Sequence, residues 1–275
     1  MRCAWEEVLN VLPFRFRSNV DRLGKQQLQE LRLRINAPPE LVLRNNVLWL
    51  EENVTKEDIL FCVNAASNYS PWAASTIKQG YLTVQGGHRI GLCGEAVIQD
   101  GAVTALREIH SINIRIARDF SGIAVDNPKK LGSTLCIGPP GAGKTTLLRD
   151  LARKISMTDT VCVVDERGEL FPLGFQRGKR MDVLTGCPKS SGIDIILRSM
   201  GPTYIAMDEI TAPEDASAML HAAGCGVQLL ATAHAGTLAD LRQRPIYRTL
   251  MDNRIFQTIL VLHKDQRYRV ERVVP

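Results

Sequence analysis

Long apolar runs are missing from this sequence. No stretch of its 275 residues approaches the roughly 20 consecutive apolar residues that a helix needs to cross a bilayer. The N-terminal residues include Arg2, Glu6 and Glu7, whose charges do not fit a secretory signal peptide. We therefore expect a cytoplasmic chain without a transmembrane segment, which reaches the inner face of a membrane only through partner proteins.

Paired cysteines are missing as well. The seven cysteines are scattered along the chain, and no two of them have the CxxC spacing of a zinc-ligand pair. An odd number of scattered cysteines also does not suggest a disulfide framework. The simple interpretation is a set of reduced, mostly buried thiols in a reducing compartment.

Aromatic residues are scarce, at 5% of the chain, and the formal net charge is only +5. This mild positive charge is compatible with nucleotides, acidic membrane surfaces or nucleic acid as partners. A nucleic-acid-binding face usually combines clustered basic residues with aromatic ones, and no such strand appears here, so nucleic acid is not the expected partner. Among the large aromatic residues, Trp5, Phe14, Phe16 and Trp72 are expected in the core.

The pattern of residues 1–118 favours a smaller α+β domain with an antiparallel sheet. Helices are predicted over 5–12 and 56–66, the second with Thr55 as its N-cap. Residues 99–101, Gln-Asp-Gly, are a hairpin-turn signal. Apolar residues at near-alternate positions predict strands over 28–35, 41–50, 81–84, 90–93 and 95–98.

Residues 119–130 are predicted to be a linker, because glycine, proline, asparagine and aspartate occur there together. In residues 131–275 the pattern changes to alternating strands and helices, with a basic tail over 267–272 as a final hairpin strand. Short apolar strands of this kind are typical of a parallel sheet covered on both faces, so we expect an α/β fold. These strands are predicted over 134–137, 160–164, 204–207, 228–231 and 258–262.

The segment 138–145 fits the phosphate-loop pattern G-x-x-x-x-G-K-[ST] at every defined position. It lies between a predicted strand and a helix with an apolar stripe, which a chance glycine-rich turn would lack. Backbone N–H groups of such a loop point at phosphate oxygens, and the helix N-terminus adds positive charge. The residues predicted to bind ATP are Gly138, Pro139, Pro140, Gly141, Ala142, Gly143, Lys144, Thr145 and Thr146.

The chemistry of ATP hydrolysis assigns a role to each polar residue at this end of the sheet. Lys144 is predicted to meet the β- and γ-phosphates, and the Thr145 hydroxyl to bind Mg²⁺. Asp208 follows the strand 204–207 and is the second predicted magnesium ligand, because the carboxyl ends of parallel strands share one edge. Glu209 is the predicted general base for the attacking water. The alternative is an acidic loop after a core strand.

Two further polar groups follow predicted strands. Acidic residues at 165, 166 and 169 would face the same edge, and Glu166 is the candidate catalytic residue among them. A turn closed by a salt bridge to Arg167 explains the same acids without a function. Thr232 and His234 end another strand, where His234 is a candidate catalytic residue that senses the γ-phosphate. Because a lone histidine is more often structural, spacing alone leaves both interpretations open.

The order of these motifs resembles the secretion, or traffic, ATPase superfamily, whose members are RecA-like rings that power secretion and pilus machines. More narrowly, the chain resembles the stage III sporulation protein AA family of endospore-forming bacteria over nearly its whole length, from about Leu28 to Leu262. The segments that carry this narrower resemblance are 30–38, 80–83, 86–91, 94–97 and 111–118.

The resemblance implies a RecA-like P-loop domain preceded by the smaller α+β domain. It implies a hexameric ring motor that hydrolyses ATP with Mg²⁺ and docks on a membrane-associated, secretion-like complex between mother cell and forespore. One departure is Thr203, where an aspartate usually follows the proline before the acidic strand end. Rings of this kind also use arginines that reach a neighbour's nucleotide, for which the candidates are Arg89, Arg115, Arg118 and Arg198.

Three other classes stay open at this point. A complete site does not guarantee a useful rate, so a nucleotide-gated assembly scaffold with little turnover fits the same residues. A RecA-like nucleic-acid motor shares the core but uses a concentrated basic surface. A small-molecule kinase needs a lid and an acceptor pocket, and Glu209 directly after Asp208 favours water as the acceptor.

Overall fold

The computed structural model describes residues 1–68, 77–78, 80–265 and 267–273. The chain divides into two compact units. The first contains Met1–Asp119 and the short segment Pro172–Phe175, and the second contains Phe120–Phe171 and the residues from Gln176 onward. Of the linker predicted over 119–130, only Asp119 belongs to the first unit. No helix in the described ranges is long and apolar enough to cross a membrane.

The first unit is an α+β domain, as predicted, with an antiparallel sheet in the order β3-β2-β1-β6-β5-β4. Side chains on one face of this sheet form the core, so that Leu31 and Leu33 of β1 are buried while Arg32 between them is half-buried. The elements are α1 (Trp5–Asn10), α2 (Phe14–Gln27), β1 (Leu28–Arg34), β2 (Glu40–Leu43), β3 (Val47–Trp49), α3 (Lys56–Ala66), β4 (Tyr81–Val84), β5 (His88–Gln99) and β6 (Ala102–Arg115).

The sequence signals for α3 and for the β5–β6 hairpin are confirmed. The Thr55 hydroxyl accepts a hydrogen bond from the Asp58 N–H, and the Asp58 carboxylate accepts one from the Thr55 N–H, so the two residues form a capping box. Asp100 and Gly101 have φ angles of +51° and +76°, as the two central residues of a type I′ hairpin turn require. The two short strands predicted before this turn are one continuous strand, β5.

Two predictions for the first unit are wrong, and one helix was not predicted. The predicted strand 41–50 is two strands, β2 and β3, which pair across a turn that contains two asparagines. Helix α2 was not predicted, because only Phe16 and Val20 of its residues are buried and its apolar stripe is correspondingly thin. Phe14 is 85% exposed rather than part of the core. Trp5 is half-buried, and Trp72 lies outside the described residues.

The second unit has the predicted α/β fold. Its sheet has the order β13-β12-β7-β11-β10-β8-β9, and every pair is parallel except the final hairpin of β12 and β13. Only β9 was missed among the strands. The elements are β7 (Thr134–Gly138), α4 (Lys144–Ile155), β8 (Val161–Asp165), β9 (Met181–Thr185), α5 (Lys189–Ser199), β10 (Tyr204–Met207), α6 (Pro213–Gly224), β11 (Gln228–His234), α7 (Leu238–Gln243), α8 (Pro245–Asp252), β12 (Thr258–Leu262) and β13 (Tyr268–Arg272).

Both faces of this sheet are covered. Leu135 and Ile137 of β7 belong to one buried cluster, whereas Cys136 between them belongs to another. Alternate residues of a strand point to opposite faces, so β7 is buried on both sides. The expectation of mostly buried thiols is met only in part. All seven cysteines are free, but Cys93 and Cys225 are exposed.

Candidate functional site

The phosphate loop joins the end of β7 to the start of α4 near the middle of the sheet. Gly138 lies so close to β12 that a Cβ there would be 2.8 Å from the carbonyl oxygen of Leu262. Gly141 and Gly143 have φ angles of +75° and +91°, and nothing lies within 4 Å of a Cβ built on either. The loop backbone therefore curls through conformations that favour glycine, as in phosphate-binding loops.

Lys144 is the first residue of α4, and its side chain reaches back over the loop. Its Nζ donates hydrogen bonds to the Pro139 carbonyl oxygen (3.0 Å) and to Nδ1 of His234 (3.0 Å). Burial lowers the pKa of the Lys144 ammonium, and the negative charges of Asp208 and Glu209 partly oppose this effect. The predicted phosphate-binding lysine is therefore linked directly to the predicted histidine.

The two predicted magnesium ligands are adjacent. The Thr145 hydroxyl donates to Oδ2 of Asp208 at 2.9 Å. Neighbouring oxygens around an octahedral Mg²⁺, each about 2.1 Å from the ion, are about 3.0 Å apart. Hydroxyl and carboxylate oxygens are also the ligands that Mg²⁺ prefers, so the donor set and its spacing both fit this ion.

Asp208 and Glu209 are held in place from the neighbouring strand. The Thr232 hydroxyl donates to Oδ1 of Asp208 at 2.5 Å and accepts a hydrogen bond from the Glu209 N–H at 2.9 Å. Because β11 lies between β7 and β10, Thr232 connects the strand of the phosphate loop with the strand that carries the acids. Thr232 therefore orients both acidic residues rather than facing a nucleotide itself.

His234 connects the phosphate loop to Glu209. Because Nδ1 accepts the hydrogen bond from Lys144, the neutral ring carries its proton on Nε2. That nitrogen lies 3.4 Å from Oε1 of Glu209. The three side chains form a chain in the order Lys144, His234, Glu209. If Lys144 changes its hydrogen-bond partner, the hydrogen bonds of His234 change as well, next to the predicted base Glu209.

The acidic residues after β8 have different environments. Asp165 is 3% exposed, and its two oxygens accept hydrogen bonds from the N–H groups of Glu169, Leu170 and Phe171 at 2.8–3.0 Å. Asp165 therefore closes the turn. Glu166 instead accepts a hydrogen bond from Nζ of Lys189 at 2.5 Å. Its salt-bridge partner is thus a lysine on α5 that the sequence analysis did not single out.

A small cavity of about 60 Å³ lies beside these acids. A buried water needs roughly 10–15 Å³ of such volume, so the cavity has room for about four waters. It brings Glu166 and Lys189 to the same space as Asp208 and Glu209. The lining residues are Val164, Asp165, Glu166, Arg167, Glu169, Lys189, Asp208, Glu209 and Thr211.

A second cavity of about 190 Å³ adjoins the phosphate loop on another side, and its walls are mainly apolar and aromatic. Its size and lining suit a flat heteroaromatic ring. Ala142, Gly143 and Thr146 of this lining belong to the predicted ATP-binding residues. No phosphate-site motif points to the other lining residues, which were not predicted. These are Phe120, Ile123, Leu147, Leu262 and Tyr268.

The segment that forms one wall of this second cavity is fixed to α4. Oδ2 of Asp150 accepts hydrogen bonds from the N–H groups of Ile123 (2.8 Å) and Ala124 (2.9 Å). Nζ of Lys154 donates to the Ala124 carbonyl oxygen at 2.6 Å. The Tyr268 hydroxyl donates to the Ile123 carbonyl oxygen at 3.2 Å. The helix that begins at the phosphate loop thus also positions the wall of the cavity beside it.

The four arginine candidates have different partners within their own units. Arg118 donates to the carbonyl oxygens of Lys25, Leu28 and Ile116 and so anchors the start of β1. Arg89 stacks over the ring of Tyr81, 4.4 Å from its centroid. Arg115 is largely exposed and lies 3.4 Å from Glu30. Arg198 is also exposed and donates to the carbonyl oxygen of Asp194. Exposure therefore favours Arg115 and Arg198 over Arg118 as groups that reach another molecule.

Comparison with known proteins shows the family. Residues 4–272 match the model of the family described as sporulation stage III, protein AA. The chain is 39% identical over 278 residues to stage III sporulation protein AA of Bacillus subtilis (strain 168), and the match covers 94% of this chain and 91% of that protein. It is also 26% identical to the uncharacterized protein ycf45 of Porphyra purpurea, over 90% of this chain and 43% of that protein.

Solved structures share the fold at lower identity. The pilus retraction motor PilT with bound ADP has a TM-score of 0.67 at 15% identity, covering 94% of this chain and 83% of that one. The ATPase DotB of Legionella pneumophila has a TM-score of 0.59 at 18% identity, covering 92% of this chain and 78% of that one. The chain therefore shares its fold with these two proteins.

Proposed function

The chain belongs to the stage III sporulation protein AA family, and on that premise we propose that it hydrolyses ATP with Mg²⁺ as a ring motor. Its partner would be a membrane-associated, secretion-like sporulation complex between mother cell and forespore, reached through protein contacts. The observation that carries the ATPase proposal is the 2.9 Å contact between Thr145 and Asp208. It joins the end of a phosphate loop to an acidic strand end at the spacing of two ligands of one Mg²⁺ ion.

In this proposal Lys144 and the loop N–H groups hold the β- and γ-phosphates. Phosphate oxygens would take the place of the Pro139 carbonyl and of His234 as partners of the Lys144 ammonium. Their negative charge would also offset the burial that lowers the pKa of Lys144. Thr145 and Asp208 would hold Mg²⁺, which neutralises charge on the phosphates.

Glu209 would take the proton of the attacking water. When Lys144 turns from His234 to the phosphates, Nδ1 of the histidine loses its donor, while Nε2 stays near Glu209. Nδ1 of His234 would then accept a hydrogen bond only from a new donor, such as a water molecule near the γ-phosphate. Binding of phosphate would thus change the hydrogen bonds of His234 and, through His234, the position of Glu209. A motor needs such coupling between nucleotide binding and a catalytic residue.

The apolar cavity lined by Phe120, Ile123 and Tyr268 would hold the adenine ring. We expect Tyr268→Ala to weaken ATP and ADP binding about 10- to 100-fold, because stacking of a base on an aromatic ring contributes roughly 1–3 kcal/mol. Tyr268→Phe keeps the ring and loses one hydrogen bond to Ile123, so we expect a change of about fivefold or less. Fluorescence titration with a labelled nucleotide measures both.

Inorganic triphosphate is the matched control for the Tyr268 variants, since it fills the phosphate loop and has no base. Its ability to compete with labelled ATP should be the same for Tyr268→Ala and for the native chain. If Tyr268→Ala instead weakens the binding of triphosphate as much as that of ATP, the variant has disturbed the phosphate loop, and the adenine ring is not in this cavity.

Assembly into a ring predicts that turnover depends on protein concentration. We expect ATPase turnover per subunit to rise at the concentrations where light scattering detects a hexamer, because arginines from a neighbour contribute roughly 10³–10⁵ in related sites. Arg115→Ala and Arg198→Ala test the two exposed candidates. Turnover that stays constant from monomer to assembled state would contradict a ring motor, and negligible turnover in both would favour a nucleotide-gated scaffold.

A further inference from the structure

Lys189 occupies a position that lysine normally avoids. It is the first residue of α5, where the partial positive charge of the helix N-terminus disfavours a cation. Its side chain is only 8% exposed, so its ammonium has also lost most of its hydration. An acidic residue would suit the charge at this helix end better, and an uncharged one would lose less on burial. A lysine at a position that disfavours both its charge and its burial indicates a role in a functional site.

The backbone on both sides of the Lys189–Glu166 pair is fixed. Gly192 packs so closely on β8 that a Cβ there would lie 2.5 Å from Cγ1 of Val164. Helix α5 is therefore held against the end of β8, next to the acidic turn. Asp165 fixes that turn through its three hydrogen bonds from backbone N–H groups. The conformation of the Glu166 side chain is the main freedom that remains, and Lys189 restrains it.

The restraint matters because Glu166 shares a small polar cavity with other carboxylates. Asp208 and Glu209 line the same space of about 60 Å³. Without the ammonium of Lys189, repulsion among these carboxylates would favour conformations in which Glu166 turns outward, and its side chain is already 38% exposed. The 2.5 Å contact with Nζ of Lys189 holds its carboxylate at the cavity wall instead.

We propose that Lys189 is a positioning residue for ATP hydrolysis, which holds Glu166 beside Glu209 so that the water activated by Glu209 has a second, fixed acceptor. This inference rests on the proposed ATPase function and adds to it a residue on α5 that acts on hydrolysis through Glu166. Lys189 acts through Glu166 and not on the nucleotide, since its ammonium is engaged with that carboxylate in the cavity.

The test is a double-mutant cycle on turnover with Lys189→Met, Glu166→Gln and the two combined. We expect Lys189→Met to lower kcat about 10- to 100-fold, as when a catalytic group loses its orientation. KM for ATP and the Kd of ADP should stay within about twofold, because the phosphate loop is unchanged. The double variant should be no slower than the slower single variant. Lys189→Arg should restore most of kcat, because it keeps the cation.

Lys179→Met is the matched control, because Lys179 is an exposed lysine of the same unit and does not line the cavity. Its kcat should equal that of the native chain. The role of Lys189 would be overturned if the two single losses of kcat multiply in the double variant, or if Lys189→Met has the native kcat. Either result would leave the ATPase proposal standing. A native chain without turnover under ring-forming conditions would overturn both, so the two failures are distinguishable.

Discussion

Replacing Glu209 with glutamine is expected to reduce ATP turnover by about 10²–10⁴-fold, the usual contribution of a general base. Glutamine has nearly the same shape as glutamate but does not take a proton from water. The hydrogen bonds that the Glu209 N–H donates to the Thr232 and Asp208 side chains do not involve the Glu209 side chain, so they survive the substitution. The amide oxygen can still accept from Nε2 of His234. Steady-state phosphate release measures the rate, and titration with labelled ATP should give a native Kd.

Glu166→Gln serves as the comparison for Glu209→Gln. Both remove one negative charge from the same cavity, so a purely electrostatic effect on the phosphates would be similar for the two variants. We expect Glu209→Gln to be the slower enzyme by at least about tenfold, because only Glu209 would remove the proton from the attacking water. If Glu166→Gln is the slower variant, the base is Glu166, and Glu209 has only a supporting role.

Local patterns in the sequence were sufficient to predict which residues meet at the centre of the candidate site. The phosphate loop is continuous in the chain, and its glycines and lysine are recognisable from spacing alone. Asp208 and Glu209 could be placed near it because parallel strands end at one edge of a sheet. Thr145 lies in the first turn of the helix after β7 and Asp208 follows β10, so their 2.9 Å contact lies at the edge where that rule places both residues.

Residues that depend on packing between distant elements were not predictable in the same way. Lys189 meets Glu166 only because α5 packs on β8 through Gly192. Tyr268 reaches Ile123 across 145 positions of sequence because the final hairpin lies beside β7. Neither residue has a local pattern that distinguishes it from a solvated lysine or a strand tyrosine. Such contacts follow from the tertiary fold, which no window of sequence contains.

The boundary between the units shows the same limit. Glycine, proline and aspartate over 119–130 predict irregular backbone, but the range runs into a short 3₁₀ helix, Pro128–Leu131. They do not reveal that hydrogen bonds from Asp150 and Lys154 fasten residues 123–125 to α4. Composition predicts where a chain lacks regular structure, whereas the side chains of a distant helix decide which unit that segment joins.

Lys144→Ala is expected to weaken ATP binding by about 100-fold and to leave no measurable turnover. The substitution removes the ammonium that faces the β- and γ-phosphates, and a hydrogen bond to a charged group contributes roughly 1.5–3 kcal/mol. Loss of one such bond corresponds to about 10- to 160-fold in affinity. Isothermal titration with ATP and with AMP separates the effects, because AMP has no β- or γ-phosphate and should bind both proteins alike.

The same variant tests the link between the phosphate loop and the base. Lys144→Ala also removes the donor to Nδ1 of His234, so the histidine can carry its proton on either nitrogen. We therefore expect the Nδ1 and Nε2 resonances of His234 to lose the single-tautomer pattern that Lys144 imposes in the nucleotide-free native chain. His234→Ala, which leaves Lys144 bonded to Pro139, should in contrast bind ATP within about fivefold of the native chain. If His234→Ala binds ATP as weakly as Lys144→Ala, the histidine contacts the phosphates directly and the chain from Lys144 through His234 to Glu209 is not the means of coupling.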